Sequence, residues 1–220
     1  MSNLIKHNGI AADPWTLVSL PAPAEDTVRK QAGKVVIFKV TGEPAATQEQ
    51  LQTAVIPATG NVIVPLTLWQ ARKDELASRA ARGEIGIWLE SYELLEHLLA
   101  SVSDINSLPV IGINFPRFAD GRGFSLAVQL RTRHHYRHEL RAIGDVLRDQ
   151  LYFMKRCGFD AFSLRADRST EDALASLRDF SEPYQGSVDN PLPVWRRYPR
   201  VGHHALAHSK TEPTHDDEVD

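Results

Sequence analysis

Between residues 61 and 180, short apolar runs alternate with amphipathic stretches, and that alternation leaves few folds open to the chain. Val62-Ile63-Val64-Pro65-Leu66, Ile85-Gly86-Ile87-Trp88-Leu89, Val110-Ile111-Gly112-Ile113-Asn114-Phe115, Leu140-Arg141-Ala142-Ile143-Gly144 and Ala161-Phe162-Ser163-Leu164 read as buried strands. Helical spacing fills the intervals. Thr67 is placed to cap a helix running to Arg82, with Gly83 beyond its end. Ser91 precedes Leu94, Leu95, Leu98 and Leu99, and Ser125 opens a helix carrying Leu126, Ala127 and Leu130. Asp145 is placed to cap a helix that buries Leu147, Leu151 and Met154 and stops at Gly158. A last helix starts near Ser169, with Asp172 completing a capping-box pattern. Repeated βα units imply right-handed crossovers and a mainly parallel α/β sheet covered on both faces. Periodicity does not choose between an open doubly wound sheet and a partial β/α barrel.

The flanks differ in composition. Residues 1–60 are rich in Pro and Ala; Asn8-Gly9 between Ile5 and Ile10 signals a type I′ hairpin, and Val35 to Val40 reads as an extra strand packed on the core. Residues 181–220 are polar, with Pro183, Pro191, Pro193, Pro199 and Pro213, and read as a partly disordered tail. The net charge of −3 argues against nucleic acid as a partner. No run approaches a membrane span, no secretory signal opens the chain, and the single cysteine, Cys157, excludes an intrachain disulfide. The reducing cytoplasm is the expected location.

The strong cofactor motifs are missing. Gly121-Arg122-Gly123 starts like a dinucleotide fingerprint, but Leu126 stands where the third glycine is needed. Gly33-Lys34 is followed by Val35, so there is no Walker loop. No metal motif occurs, and no cofactor is expected, although a flavin phosphate at the strand ends stays open. Ligands of parallel α/β folds bind beyond the carboxyl ends of the strands. Those ends carry Glu90, Asn114, Asp120, Gly121, Arg122, Gly123, Asp145, Arg148 and Arg165. Converging there, they would suit a small anion; dispersed, they are helix caps, and the two glycines are turn residues with positive φ.

The most basic stretch runs from Arg131 to Arg141 and includes Arg133, Arg137, His134 and His138. It reads either as a contact for an acidic partner or as a solvated helix end. The two histidines have metal-ligand spacing only if the helix continues through Tyr136. Cys157, among Phe153, Met154 and Phe159, reads as a small buried hydrophobe.

Two longer stretches carry a resemblance. Phe115-Pro116-Arg117-Phe118-Ala119-Asp120-Gly121-Arg122-Gly123-Phe124-Ser125, and Glu139 to Leu151 continuing through Arg156-Cys157-Gly158-Phe159-Asp160-Ala161-Phe162, are similar to a bacterial family of unknown function. That family is often described as an oxidoreductase probably involved in sulfite reduction, and its genes commonly lie beside that of the sulfite reductase haemoprotein. The resemblance covers about residues 60–197 and ends with Pro191-Leu192-Pro193-Val194-Trp195-Arg196-Arg197. It implies an accessory protein of assimilatory sulfite reduction that binds the haemoprotein or its electron donor. Arg131, Arg133, Arg137, Trp195 and Arg196 are then the expected contacts. The alternative it leaves open is an enzyme that uses the strand-end rim. A homodimer is compatible with either.

Overall fold

The computed structural model of the protein describes residues 3–20 and 46–198. The strand expected at Val35 to Val40, the loop at 22–26 and the tail from 199 lie outside the described residues.

The chain opens with β1 (Leu4–Lys6), β2 (Gly9–Ala11) and β3 (Trp15–Leu17), followed by α1 (Gln48–Thr53). Next come β4 (Asn61–Pro65), α2 (Leu66–Ala71), α3 (Lys73–Ala81), β5 (Ile85–Glu90), α4 (Leu95–Ser101) and β6 (Val110–Phe115). The chain continues with α5 (Arg122–Thr132), β7 (Glu139–Gly144), α6 (Arg148–Arg156), β8 (Ala161–Ser163), α7 (Thr170–Ser176) and α8 (Val194–Arg197). All strands among the described residues join one sheet in the order β2-β1-β8-β7-β6-β5-β4-β3. From β3 to β8 every pairing is parallel, and β1 is antiparallel to both β8 and β2.

That order decides between the two architectures. Strands β3 to β8 are laid down in chain order with no reversal, so right-handed crossovers place the connecting helices on one face. A doubly wound sheet needs a reversal to cover its second face. The sheet is therefore a curled, mostly parallel half-barrel, and helices cover one face rather than two. Two apolar clusters follow from this. The outer one joins Val62, Ile87, Ile113 and Leu140 to helical residues such as Leu98, Leu130 and Leu151. The inner, concave one is small: Ile63, Trp88, Val110 and Ile143, with Trp15 against them.

Residues 12–14 alone connect β2 to β3, which are opposite edges of the sheet. Four peptide units span at most about 14 Å, so the edges must curl toward one another. Register sets the direction. Ala11 lies level with Leu4 and Ser163 at the carboxyl end of β8, whereas Trp15 pairs with Asn61 at the start of β4. The connection thus descends across the concave side as a strap.

Several local expectations shift. The hairpin turn is centred on His7 and Asn8, with φ 51° and 60°, rather than on Asn8 and Gly9, because Lys6 pairs with Gly9. Thr67 lies inside α2, and the helix expected to reach Arg82 is broken at Arg72, with Gly83 closing α3 as expected. Ser91 caps nothing, since α4 begins at Leu95. Helix α5 begins at Arg122, ahead of Ser125, and α6 begins at Arg148 without Asp145 as its cap. Ser169 does cap α7, accepting from Asp172 N. Gly123 is not a turn residue: a Cβ there would lie 2.7 Å from Phe115 Cζ, so the glycine lets α5 pack close on β6.

Candidate functional site

The carboxyl ends of the parallel strands form the mouth of the half-barrel. Glu90 and Asn114 are register partners there and face the concave side, with Asn114 Nδ2 donating to Glu90 Oε2 at 2.8 Å. Their strands end where they do because each turns into a polar connection. Glu93 sits in the first of these, its Oε2 accepting from Glu90 N at 2.8 Å. Burial and then the neighbouring Glu90 charge oppose ionisation, while the backbone hydrogen bond partly offsets them, and the Glu93 carboxyl is pushed up to about 7. It can hold or release a proton near neutrality.

This has a consequence for stability. The unfolded carboxyl titrates near 4.5, so between that pH and about 7 the native state holds a proton the unfolded state has lost. Stability contributed by the protonated form is complete below 4.5 and lost as pH rises through 7. Glu93→Gln keeps an acceptor for Glu90 N and removes the charge. We expect it to match the parent at pH 4 and to exceed it by about 2 kcal/mol at pH 8.5 in urea denaturation. An equal difference at both pH values would place the Glu93 carboxyl in the ordinary range.

The strand-end residues named from the sequence fall into separate local sets. Arg122 grips Asp120 through two hydrogen bonds of 3.0 and 2.6 Å, and Ser91 Oγ donates to the same carboxylate at 2.6 Å. Asp120 is held well below the usual carboxylate range, chiefly by Arg122. Arg122 also lies over the Tyr92 ring, 5.7 Å from its centroid. Asp145 accepts from Phe118 N and from Arg165 Nη1, both at 2.9 Å, and Arg165 is shared with Asp167. Gly121 is exposed at the start of α5, and Gly123 is buried against Phe115. Arg148 is exposed beside a hollow of about 360 Å³ lined also by Asp149, Asp167, Arg168, Ser169 and Asp172. Its carboxylates outnumber its guanidiniums, which does not favour an anion there.

The basic stretch also divides. Arg131 is a structural residue: it donates to the carbonyls of Gly158, Tyr136 and His138 and pairs with Asp160 at 2.8 Å. Arg133 and Arg137 remain exposed. Helix α5 ends at Thr132 and His135 takes φ 51°, so His134 and His138 lose helical spacing. Among the described residues no group of three His, Cys, Asp or Glu side chains could hold a metal. Cys157 is buried, and burial pushes its thiol up to about 11.

Trp195 and Arg196 stand on α8. Trp195 is 48 % exposed and meets the Tyr184 ring, itself 69 % exposed, at 5.1 Å between centroids. The segment is fastened by Val194 N to Tyr184 O, Arg197 to Pro183 O, an Arg197–Glu182 ion pair of 2.9 Å, and Ser187 Oγ to Arg156 O. The backbone carrying these exposed rings is therefore fastened, and the two rings pack on each other.

Two features escape a reading by strand ends. Glu93 lies three residues past β5 and is set apart only by its burial. Glu139 and Arg141 alternate on the concave face of β7, a charged period-2 pattern inside a buried strand. That pattern was present in the sequence as Glu139-Leu140-Arg141.

The sequence model of a family described as "Bacterial protein of unknown function (DUF934)" matches residues 86–195. That stretch runs from within β5 to Trp195 on α8 and is narrower than the resemblance read from the motifs. No curated protein and no solved structure matches. No helix among the described residues is long and apolar enough to cross a membrane.

Proposed function

Because the chain belongs to this bacterial family of unknown function, matched over half its length, we propose a role for it as an accessory protein of assimilatory sulfite reduction. It docks on the sulfite reductase haemoprotein or on the reductase's electron donor. The observation that carries the docking is the fastened, exposed Trp195–Tyr184 pair with Arg196 beside it. Tyr198 at 57 % and Leu192 at 52 % exposure extend that apolar surface. A segment whose backbone is already fastened loses less entropy on binding than a free one, and Trp, Tyr and Arg dominate the binding energy of protein interfaces. Arg133 and Arg137 supply exposed positive charge elsewhere on the molecule for steering. The sulfite link itself comes from the resemblance of the two motifs. The haemoprotein is expected to co-elute with the parent chain in gel filtration. Trp195→Ala with Tyr184→Ala should weaken that complex at least about 30-fold, equivalent to about 2 kcal/mol, without changing the melting temperature. A complex that survives both substitutions would move the interface elsewhere; no complex with either partner would remove the accessory role.

A second reading rests on Glu93. A carboxyl pushed up to about 7 at the mouth of a parallel half-barrel suits a proton carrier. The chemistry would be that of an enzyme acting on a small anion, or one holding a flavin by its phosphate at the strand ends. Purified protein that is yellow, or that takes up flavin with quenching lost in Glu93→Gln, would favour this reading over docking.

A further inference from the structure

Arg141 rises from the middle of the concave face with its side chain only 3 % exposed. Its Nε donates to Glu139 Oε1 at 2.6 Å and its Nη1 to Asp13 Oδ2 at 2.7 Å. The other Glu139 oxygen accepts from Lys6 Nζ at 2.6 Å, and the other Asp13 oxygen accepts from Trp15 N at 3.0 Å. Every carboxylate oxygen of the cluster thus has a donor. Arg141 Nη2 is buried and meets no acceptor. The cluster is balanced in charge, two cations against two carboxylates, yet it carries surplus donors on its most buried member. Buried guanidinium N–H groups are rarely left in that state, so a missing acceptor is expected beside Nη2.

The position of Asp13 suggests what that acceptor is. Asp13 lies on the strap between the two sheet edges, and its side chain is 32 % exposed, as is Lys6 at 31 %. Glu139, at 4 %, is enclosed. Asp13 and Lys6 are therefore the members of the cluster that stand between Arg141 and solvent. If the Asp13 carboxylate swings out, Lys6 and Arg141 face Glu139 alone, which leaves one net positive charge and free N–H groups on both Nη1 and Nη2. A singly charged species with two or more oxygens matches both the charge and the donors.

We propose that Arg141, with Lys6, is a binding site for a small oxyanion on the concave face, and that Asp13 occupies it as an internal carboxylate stand-in. The site is separate from the strand-end carboxyls and from the aromatic docking surface, and it depends on neither.

The test compares the full chain with Asp13→Ala by thermal melting in sodium chloride, formate or sulfate at equal ionic strength. In chloride the variant should melt several degrees below the parent. Formate, which restores a carboxylate to Nη1 and Nη2, should close most of that gap at millimolar concentration; closure by sulfate as well would extend the site to tetrahedral oxyanions. Adding Lys6→Met to Asp13→Ala should weaken the oxyanion response at least fivefold, and adding Arg141→Lys should abolish it. If Asp13→Ala keeps the same deficit in all three salts, Asp13 is only a structural partner and the proposal fails. It also fails if the response survives Lys6→Met and Arg141→Lys, since the ion would then bind elsewhere. Should the Arg141 variant not fold, the Lys6 variant still decides between these outcomes.

Discussion

Alanine at Gly144 should lower the stability of the fold by about 4 kcal/mol, the range in which backbone strain and a steric clash combine. Gly144 ends β7 with φ 92°, a region that L side chains rarely adopt. A Cβ there would lie 2.3 Å from Asn114 Oδ1 and 2.5 Å from Phe115 O. Neither neighbour can give way cheaply. Asn114 is held by Glu90, and Phe115 O accepts from Asp145 N at 2.7 Å. For a chain of this size the change corresponds to a fall in melting temperature of about 8–16 °C. Gly83→Ala is the control: its φ is 74°, but nothing lies within 4 Å of the added Cβ. It should cost about 1 kcal/mol. Equal losses at the two positions would show that conformation alone matters and that the packing around Asn114 yields.

Arg131→Ala should cost about 3–4 kcal/mol, because it strips a partly buried network rather than a surface pair. The side chain is 13 % exposed and serves three carbonyls and one carboxylate, and its guanidinium lies over the buried Tyr136 ring, 5.4 Å from the centroid. Without it, Asp160 keeps, among the described residues, the hydrogen bond from Leu140 N at 2.8 Å. Burial already raises the Asp160 carboxyl above its ordinary value, and Arg131 is the main influence holding it down. Removing the arginine raises it further. A raised carboxyl loses stability as pH rises through its native value, so the deficit should be larger at pH 8 than at pH 4 in urea denaturation. Arg131→Lys restores charge but not the several directed bonds, and it should recover less than half the loss. A pH-independent deficit would mean that Asp160 finds another partner.

Which parts of this fold can be read from residues follows from their local physics. Each of β4 to β8 is a short apolar run between polar connections, and hydrophobic period alone marks it. Ser169 and Asp172 likewise mark a helix start, because a cap is a contact between residues three apart. Trp15–Leu17 is too short to establish a period, and its role comes from pairing with Asn61 to Ile63. The capping box of Thr47 and Gln50 at α1 is local, and it was legible by the same rule that marks α7. Ser91 and Asp145 look like caps because small polar residues before apolar ones usually are. Here each serves another segment instead: Ser91 binds Asp120, and Asp145 binds Phe118 N and Arg165.

The candidate sites divide in the same way. An aromatic and a cation in a Pro-rich polar segment have little core to join, and Trp195 and Arg196 do stand exposed. Arg131 looks identical in sequence to Arg133 and Arg137. Only the approach of Gly158 and Asp160 from the α6–β8 connection turns it into a structural clamp.

Residue order in this chain dictates that β4 to β8 are strands, that helices lie between them, and that these strands run parallel, because period and connection length act over a few residues. Tertiary structure alone decides that the strands add in one direction and curl until three residues join the edges. It also decides that Glu93 is partly buried beside Glu90 and that Arg141 is buried with donors to spare. Burial, charge pairing and unsatisfied hydrogen bonds depend on segments more than a hundred residues apart, such as Asp13 and Arg141, and no local pattern encodes their meeting.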